Sequence, residues 1–152
     1  MRIFLGGYPG AGKTTFARYL SQLGWSSLDM DQNGVNPDLQ FLDAPQGHPA
    51  FAPEPLVVEG GFLADAPRFR RMIRTHELTS FWLTGTKEQL IGSRLQRKAS
   101  WDNPRNIRSS DWVGLVDRYR NEVHWDHTIR MWRDDGTRKT LEEVYSELFT
   151  SL

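Results

Sequence analysis

The chain reads as an α/β fold, a parallel sheet covered by helices on both faces. Three observations predict it. Short apolar runs alternate with segments of helical spacing along the chain. The run Leu56-Val57-Val58 has no polar alternation, as expected of a strand buried on both faces. The 152 residues, 38% of them apolar and 12% aromatic, suffice for one compact core and leave little room for a second. A single domain over residues 1–152 is expected.

Residues 2–5 are apolar and Gly6-Gly7 ends them, giving a first strand. Phe16, Ala17, Leu20 and Leu23 mark a helix over 13–23, with Gly24 as its stop. Residues 25–30 read as a second strand. Residues 32–55 are rich in Asn, Asp, Gly and Pro and form a long irregular segment. Loops of that length in a compact domain usually carry function. A third strand covers 56–61, a helix 66–75, and a fourth strand 78–83, stopped at Gly85. Thr86 can cap a helix that reaches about residue 99. Residues 100–110 are polar and irregular. A helix over 111–123, a fifth strand over 127–132, a turn at Asp134-Asp135-Gly136 and a closing helix over 141–148 complete the chain.

Nineteen basic and nineteen acidic residues cancel. That balance excludes a disordered charged tail protein, and argues against a domain that binds mainly through phosphate-backbone electrostatics. Cys is absent, which excludes a disulfide framework and thiolate metal sites. No apolar run approaches the ~20 residues needed to span a bilayer. The opening Met1-Arg2-Ile3-Phe4-Leu5 has no leader pattern, so a cytoplasmic location and no membrane partner are expected. The charges are uneven. Residues 19–67 contain no Lys or Arg, whereas residues 68–108 hold ten basic residues against Glu77, Glu88 and Asp102.

Gly7-Tyr8-Pro9-Gly10-Ala11-Gly12-Lys13-Thr14 matches G-x-x-x-x-G-K-[ST], between the first strand and the first helix. The glycines let the backbone curl so that successive N–H groups converge. Those amides and the helix N-terminus suit polyphosphate oxygens. Gly7, Gly10, Ala11, Gly12, Lys13, Thr14 and Thr15 are the candidate nucleotide-binding set. Lys13 would neutralise the terminal phosphates, and the Thr14 hydroxyl would ligate Mg²⁺.

Asp29-Met30-Asp31 ends the second strand, and period-2 geometry puts both carboxylates on one face. Strand C-termini line the ligand crevice of open α/β sheets. Two carboxylates there can hold metal-bound water and accept the proton of an attacking hydroxyl; otherwise they are turn and cap acids. Glu59-Gly60-Gly61 ends the third strand, where an acid can orient metal water and glycines let an acceptor approach the backbone. Arg94, Arg97, Arg105 and Arg108 lie in or near the irregular segment 100–110. One or two of them are expected to fold over the nucleotide and stabilise the transferring phosphoryl group, the others forming a solvated face. Arg118 and Arg120 follow as further candidates.

The chain resembles the small P-loop kinases of the shikimate kinase, gluconate kinase and polynucleotide kinase group. The resemblance rests on the phosphate loop at the extreme N-terminus and on Leu28-Asp29-Met30-Asp31, which is similar to their D-x-D element. It rests also on the tail from Arg118-Tyr119 through Asp126-His127-Thr128-Ile129 to Asp134-Asp135-Gly136-Thr137. It implies a three-layer P-loop fold, a five-stranded parallel sheet of order 2-3-1-4-5 and a short lid over about 99–110. It also implies Asp31 as base, Asp29 as holder of metal water, and a loop near 133–138, Thr137 included, bordering the adenine. The segment 32–55 would bind the acceptor. Two departures stand out. The Arg by which shikimate kinases grip a carboxylate between strands two and three has no counterpart, and Glu59 stands where they carry a glycine.

The function expected is ATP- and Mg²⁺-dependent phosphorylation of a hydroxyl. The segment 32–55 carries Asp38, Asp43 and Glu54, which disfavour a buried anionic acceptor. A neutral or cationic polyol is expected instead, such as a sugar, amino sugar or nucleoside. Arg68, Arg70 and Arg71 point the other way, to a nucleotide or nucleic-acid acceptor as the alternative. A non-catalytic ATP-binding switch is the alternative of another class. A monomer or weak dimer is expected.

Overall fold

The computed structural model describes residues 1–8, 10–29, 53–60, 66–96 and 121–152, the Arg68 side chain excepted. It holds a five-stranded sheet in the order β2-β3-β1-β4-β5, with every pairing parallel. The strands are β1 (Arg2–Gly7), β2 (Ser26–Asp29), β3 (Leu56–Glu59), β4 (Thr79–Thr84) and β5 (His127–Arg130). The helices are α1 (Lys13–Gln22), α2 (Ala66–Thr75), α3 (Lys87–Leu95) and α4 (Leu141–Ser151).

Burial follows from position in the sheet. Every residue of central β3, and all of β1 but its first, is buried, whereas edge strands β2 and β5 are mostly exposed or half-buried. Alternation on β1 splits the core in two. Ile3 and Leu5 pack with Phe16, Ala17 and Leu20 of α1 and Val144 and Leu148 of α4 on one face. Phe4 packs with Val58 and with Phe69 and Met72 of α2 on the other. Phe4 meets Phe69 edge-on at 5.0 Å, and Trp125 lies 5.2 Å from Phe69 and 4.8 Å from Trp82.

The expected fold and strand order stand; several boundaries move. β1 does not stop before Gly6-Gly7, because both glycines pair with Trp82 and Leu83 of β4. β3 ends at Glu59 rather than at Gly61. α3 ends at Leu95, with Gln96 as its cap, short of residue 99. β5 stops at Arg130, and Trp132 instead bridges antiparallel to Arg138. α4 runs three residues further than the periodicity indicates, to Ser151. The expected acceptor segment lies mostly, and the expected lid wholly, outside the described residues.

Candidate functional site

The site is built where β1 turns into α1. The Ala11 N–H donates to the Tyr8 carbonyl at 3.0 Å, closing a turn, and Gly10 and Gly12 follow with φ of 93° and 98°. Only glycine adopts such angles without strain. At Gly10 space forbids a side chain as well, because the atom in the way is backbone. A Cβ on Gly10 would sit 2.7 Å from the Leu90 carbonyl, and one on Gly12 would sit 2.3 Å from Arg138 Nη2.

α1 begins without a side-chain cap, its N-cap being Gly12. The other two described starts are closed: Thr86 and Gln89 form a capping box on α3, and Thr140 and Glu143 form one on α4. No side chain caps the first turn of α1, which carries the positive end of the helix dipole.

Lys13 is the first residue of α1, and it is buried. Its Nζ folds back over the loop and donates to the Gly7 carbonyl at 3.0 Å and the Tyr8 carbonyl at 3.4 Å. Thr14 donates through its hydroxyl to Glu59 Oε2 at 2.9 Å. Glu59, only 4% exposed, closes β3 beside β1, with Asp29 as its register partner on β2. Thr14, Glu59 and Asp29 therefore all lie at the C-terminal edge of the sheet. Among the described residues no group of three or more His, Asp or Glu could hold a metal by itself. A hard cation of the Mg²⁺ kind, which takes one or two protein oxygens beside phosphates and waters, fits such a sparse donor set.

Arg94 is 2% exposed, its stem against Gly10, where a Cβ would meet Arg94 Cγ at 2.8 Å. It is one of the four arginines of which one or two are expected at the nucleotide, and Leu90 and Arg94, one turn apart, form the buried side of α3. The loop thus has two buried cations, Lys13 and Arg94, against one buried carboxylate, Glu59, among the described residues.

The other expected site residues divide. Gly7 ends β1, Thr15 is exposed in the first turn of α1, and Gly60 donates its N–H to the Leu5 carbonyl at 3.3 Å. Thr137 is exposed in the turn after β5, bonded to Asp135 and to Arg133. Asp31, Gly61, Arg97, Arg105, Arg108 and Arg118 lie outside the described residues. Arg138 was missed. It reaches the loop from the same turn, donating to the Ala11 carbonyl at 2.8 Å and to Ser93 Oγ at 3.1 Å, with its guanidinium 4.6 Å above the Trp132 ring. No periodicity or motif separates Arg138 from Arg133, which pairs with Glu143 instead.

No family model matches the chain, and no curated protein matches it. Solved structures do. A shikimate kinase from Aquifex aeolicus aligns over 99% of this chain and 95% of its own, with a TM-score of 0.64 and 19% identity. The fold is that of the small P-loop kinases. A gluconokinase from Sinorhizobium meliloti aligns over 99% of this chain and 90% of its own, with a TM-score of 0.60 and 13% identity. A deoxyadenosine kinase from M. mycoides with bound dATP aligns over 98% of this chain and all of its own, with a TM-score of 0.56 and 14% identity. At such identities the likeness is one of fold. Among the described residues no helix is long and apolar enough to cross a membrane.

Proposed function

We propose that the chain transfers the γ-phosphate of ATP, with Mg²⁺, to a hydroxyl of a small polar acceptor. The observation that carries this is the loop itself: buried Lys13 folded onto the Gly7 and Tyr8 carbonyls, beside an α1 N-terminus that no side chain caps. A lysine held against loop carbonyls can be drawn off by phosphate oxygens, for which it is the stronger partner. The neighbours' names, those of small-molecule and nucleoside kinases, support the same reading.

Phosphoryl transfer asks the protein for positioning, charge neutralisation and a base. Gly7, Gly10, Ala11, Gly12, Lys13, Thr14 and Thr15 would hold the phosphates, with Arg94 adding charge from behind Gly10. Thr14 would ligate the metal, while Asp29 and Glu59 hold its waters. Asp31 would take the proton of the acceptor hydroxyl. Arg97, Arg105 and Arg108, on a lid over about 99–110, would close on the transferring group. Gly60, Gly61, Arg118 and the segment 32–55 would bound the acceptor, and Thr137 the adenine. The acceptor we favour is neutral or cationic, because the segment 32–55 carries Asp38 and Asp43 and no Lys or Arg; Glu54, expected to add to that charge, instead pairs with Arg2 and the N-terminal amine at the opposite edge of the sheet. The chain acts in the cytoplasm as one domain, monomeric or weakly dimeric.

One observation favours a second reading. Arg70, Arg71 and Arg74 are exposed on α2 and could hold the phosphate of a nucleotide or nucleic-acid acceptor. A panel of sugars, amino sugars, nucleosides, nucleotides and oligonucleotides with γ-labelled ATP and Mg²⁺ decides between them. Label on a neutral or cationic polyol supports the first, and label on phosphorylated acceptors alone supports the second. If Asp31→Asn keeps ATP affinity and loses turnover, a non-catalytic switch is excluded.

A further inference from the structure

Arg138 has a role that neither the phosphate-loop motif nor the fold assigns. Three contacts hold its guanidinium. It donates through Nη2 to the Ala11 carbonyl at 2.8 Å and through Nη1 to Ser93 Oγ at 3.1 Å. It lies over the Trp132 ring at 4.6 Å, and it occupies the place a Gly12 Cβ would need. Its backbone is held as well: Trp132 and Arg138 form an antiparallel bridge, and Lys139 donates its N–H to the Met131 carbonyl at 3.0 Å. Arg138 is exposed, yet its guanidinium meets a carbonyl 127 positions away, a hydroxyl 45 positions away and an indole ring.

The Ala11–Gly12 peptide is where this matters. It is trans, so its carbonyl and its N–H point in opposite directions. With the Ala11 carbonyl bonded to Arg138, the Gly12 N–H is turned away from Arg138. Without that anchor a glycine-flanked peptide can flip at small cost, since Gly12 tolerates both signs of φ. A flip would present a carbonyl where a phosphate needs a donor.

We propose that Arg138 is a positioning residue for the phosphate loop. It holds the Ala11–Gly12 peptide in the orientation that aims the Gly12 amide at a bound polyphosphate, and it ties that orientation to α3 and to the turn after β5. This rests on the nucleotide-binding reading above. A side chain at position 12 would displace the Arg138 guanidinium from this place.

The test is calorimetric titration of Mg²⁺-tripolyphosphate and of Mg²⁺-ATP into the wild-type protein, Arg138→Met and Arg138→Lys. Tripolyphosphate has no base, so it reports on the loop alone. Losing a charge-assisted hydrogen bond should weaken Arg138→Met for both ligands by the same factor, roughly tenfold to a hundredfold. Arg138→Lys, which keeps the charge but cannot bridge Ala11 and Ser93 together, should fall between. Millimolar methylguanidinium should restore part of the loss in Arg138→Met, which a merely structural role would not allow. Unchanged tripolyphosphate affinity in both variants, or a loss confined to ATP, overturns the inference while leaving the nucleotide reading intact. A wild-type protein that binds neither ligand overturns both.

Discussion

The Thr14 hydroxyl donates to the Glu59 carboxylate at 2.9 Å, joining the start of α1 to the end of β3 across 45 positions of sequence. The bond places the oxygen of the phosphate-loop threonine beside a buried acid at the C-terminal edge of the sheet. If both serve one metal ion, Glu59→Gln should keep the fold, since the amide oxygen can still accept from Thr14. It should lose the charge that favours the cation. The expected result is an Mg²⁺ requirement for ATP binding shifted upward roughly tenfold to a hundredfold, read as the metal concentration giving half-maximal nucleotide binding. Melting temperature should change little.

Two glycines outside the loop should respond in opposite directions to the same substitution. A Cβ on Gly6 would lie 2.2 Å from Trp125 Cη2, and that ring is wedged against Phe4, Phe69 and Trp82. Gly6→Ala should destabilise by ~1–3 kcal/mol through overpacking. Gly92 sits in α3 with nothing near its missing side chain. Gly92→Ala should stabilise by ~0.5–1 kcal/mol through helix propensity. Chemical denaturation of the two variants checks both signs.

The first half of the site was legible because its physics is local. Gly7, Gly10, Gly12, Lys13 and Thr14 act within one turn of chain, and the strand and helix that flank them announce themselves by apolar runs and spacing. The strand order was legible only through resemblance, since the parallel register of Leu5 with Glu59 leaves no trace in either segment. Arg94 was singled out, but its burial was not foreseeable. Its place on the inward face of α3 depends on how close that helix comes to Gly10, a distance set by the absence of a side chain there. Arg138 was invisible, because a bond across 127 residues has no sequence period.

His76 gives a pH dependence whose sign follows from its setting. Its side chain is buried, and burial first, then the Arg2 charge, hold its pKa below the ordinary imidazole value of about 6.5. The folded chain therefore keeps the imidazole neutral where the unfolded chain would protonate. Its contribution to stability is complete above about pH 6.5 and declines as pH falls from there toward the lower folded value. The slope from one such group is at most about 1.4 kcal/mol per pH unit. His76→Gln should flatten the fall in stability between pH 6.5 and 5, measured by denaturation at stepped pH. An equally steep fall in the variant would assign the dependence to other groups.

Lys13 carries the central claim, that this loop cups a nucleoside triphosphate. Calorimetric titration of Mg²⁺-ATP into the wild-type protein and Lys13→Met tests it most directly. The account predicts one saturable site in the wild type with a dissociation constant in the micromolar to millimolar range, weakened at least about thirtyfold in the variant with the fold retained. No binding heat in the wild type, or equal affinity in the two proteins, would contradict it.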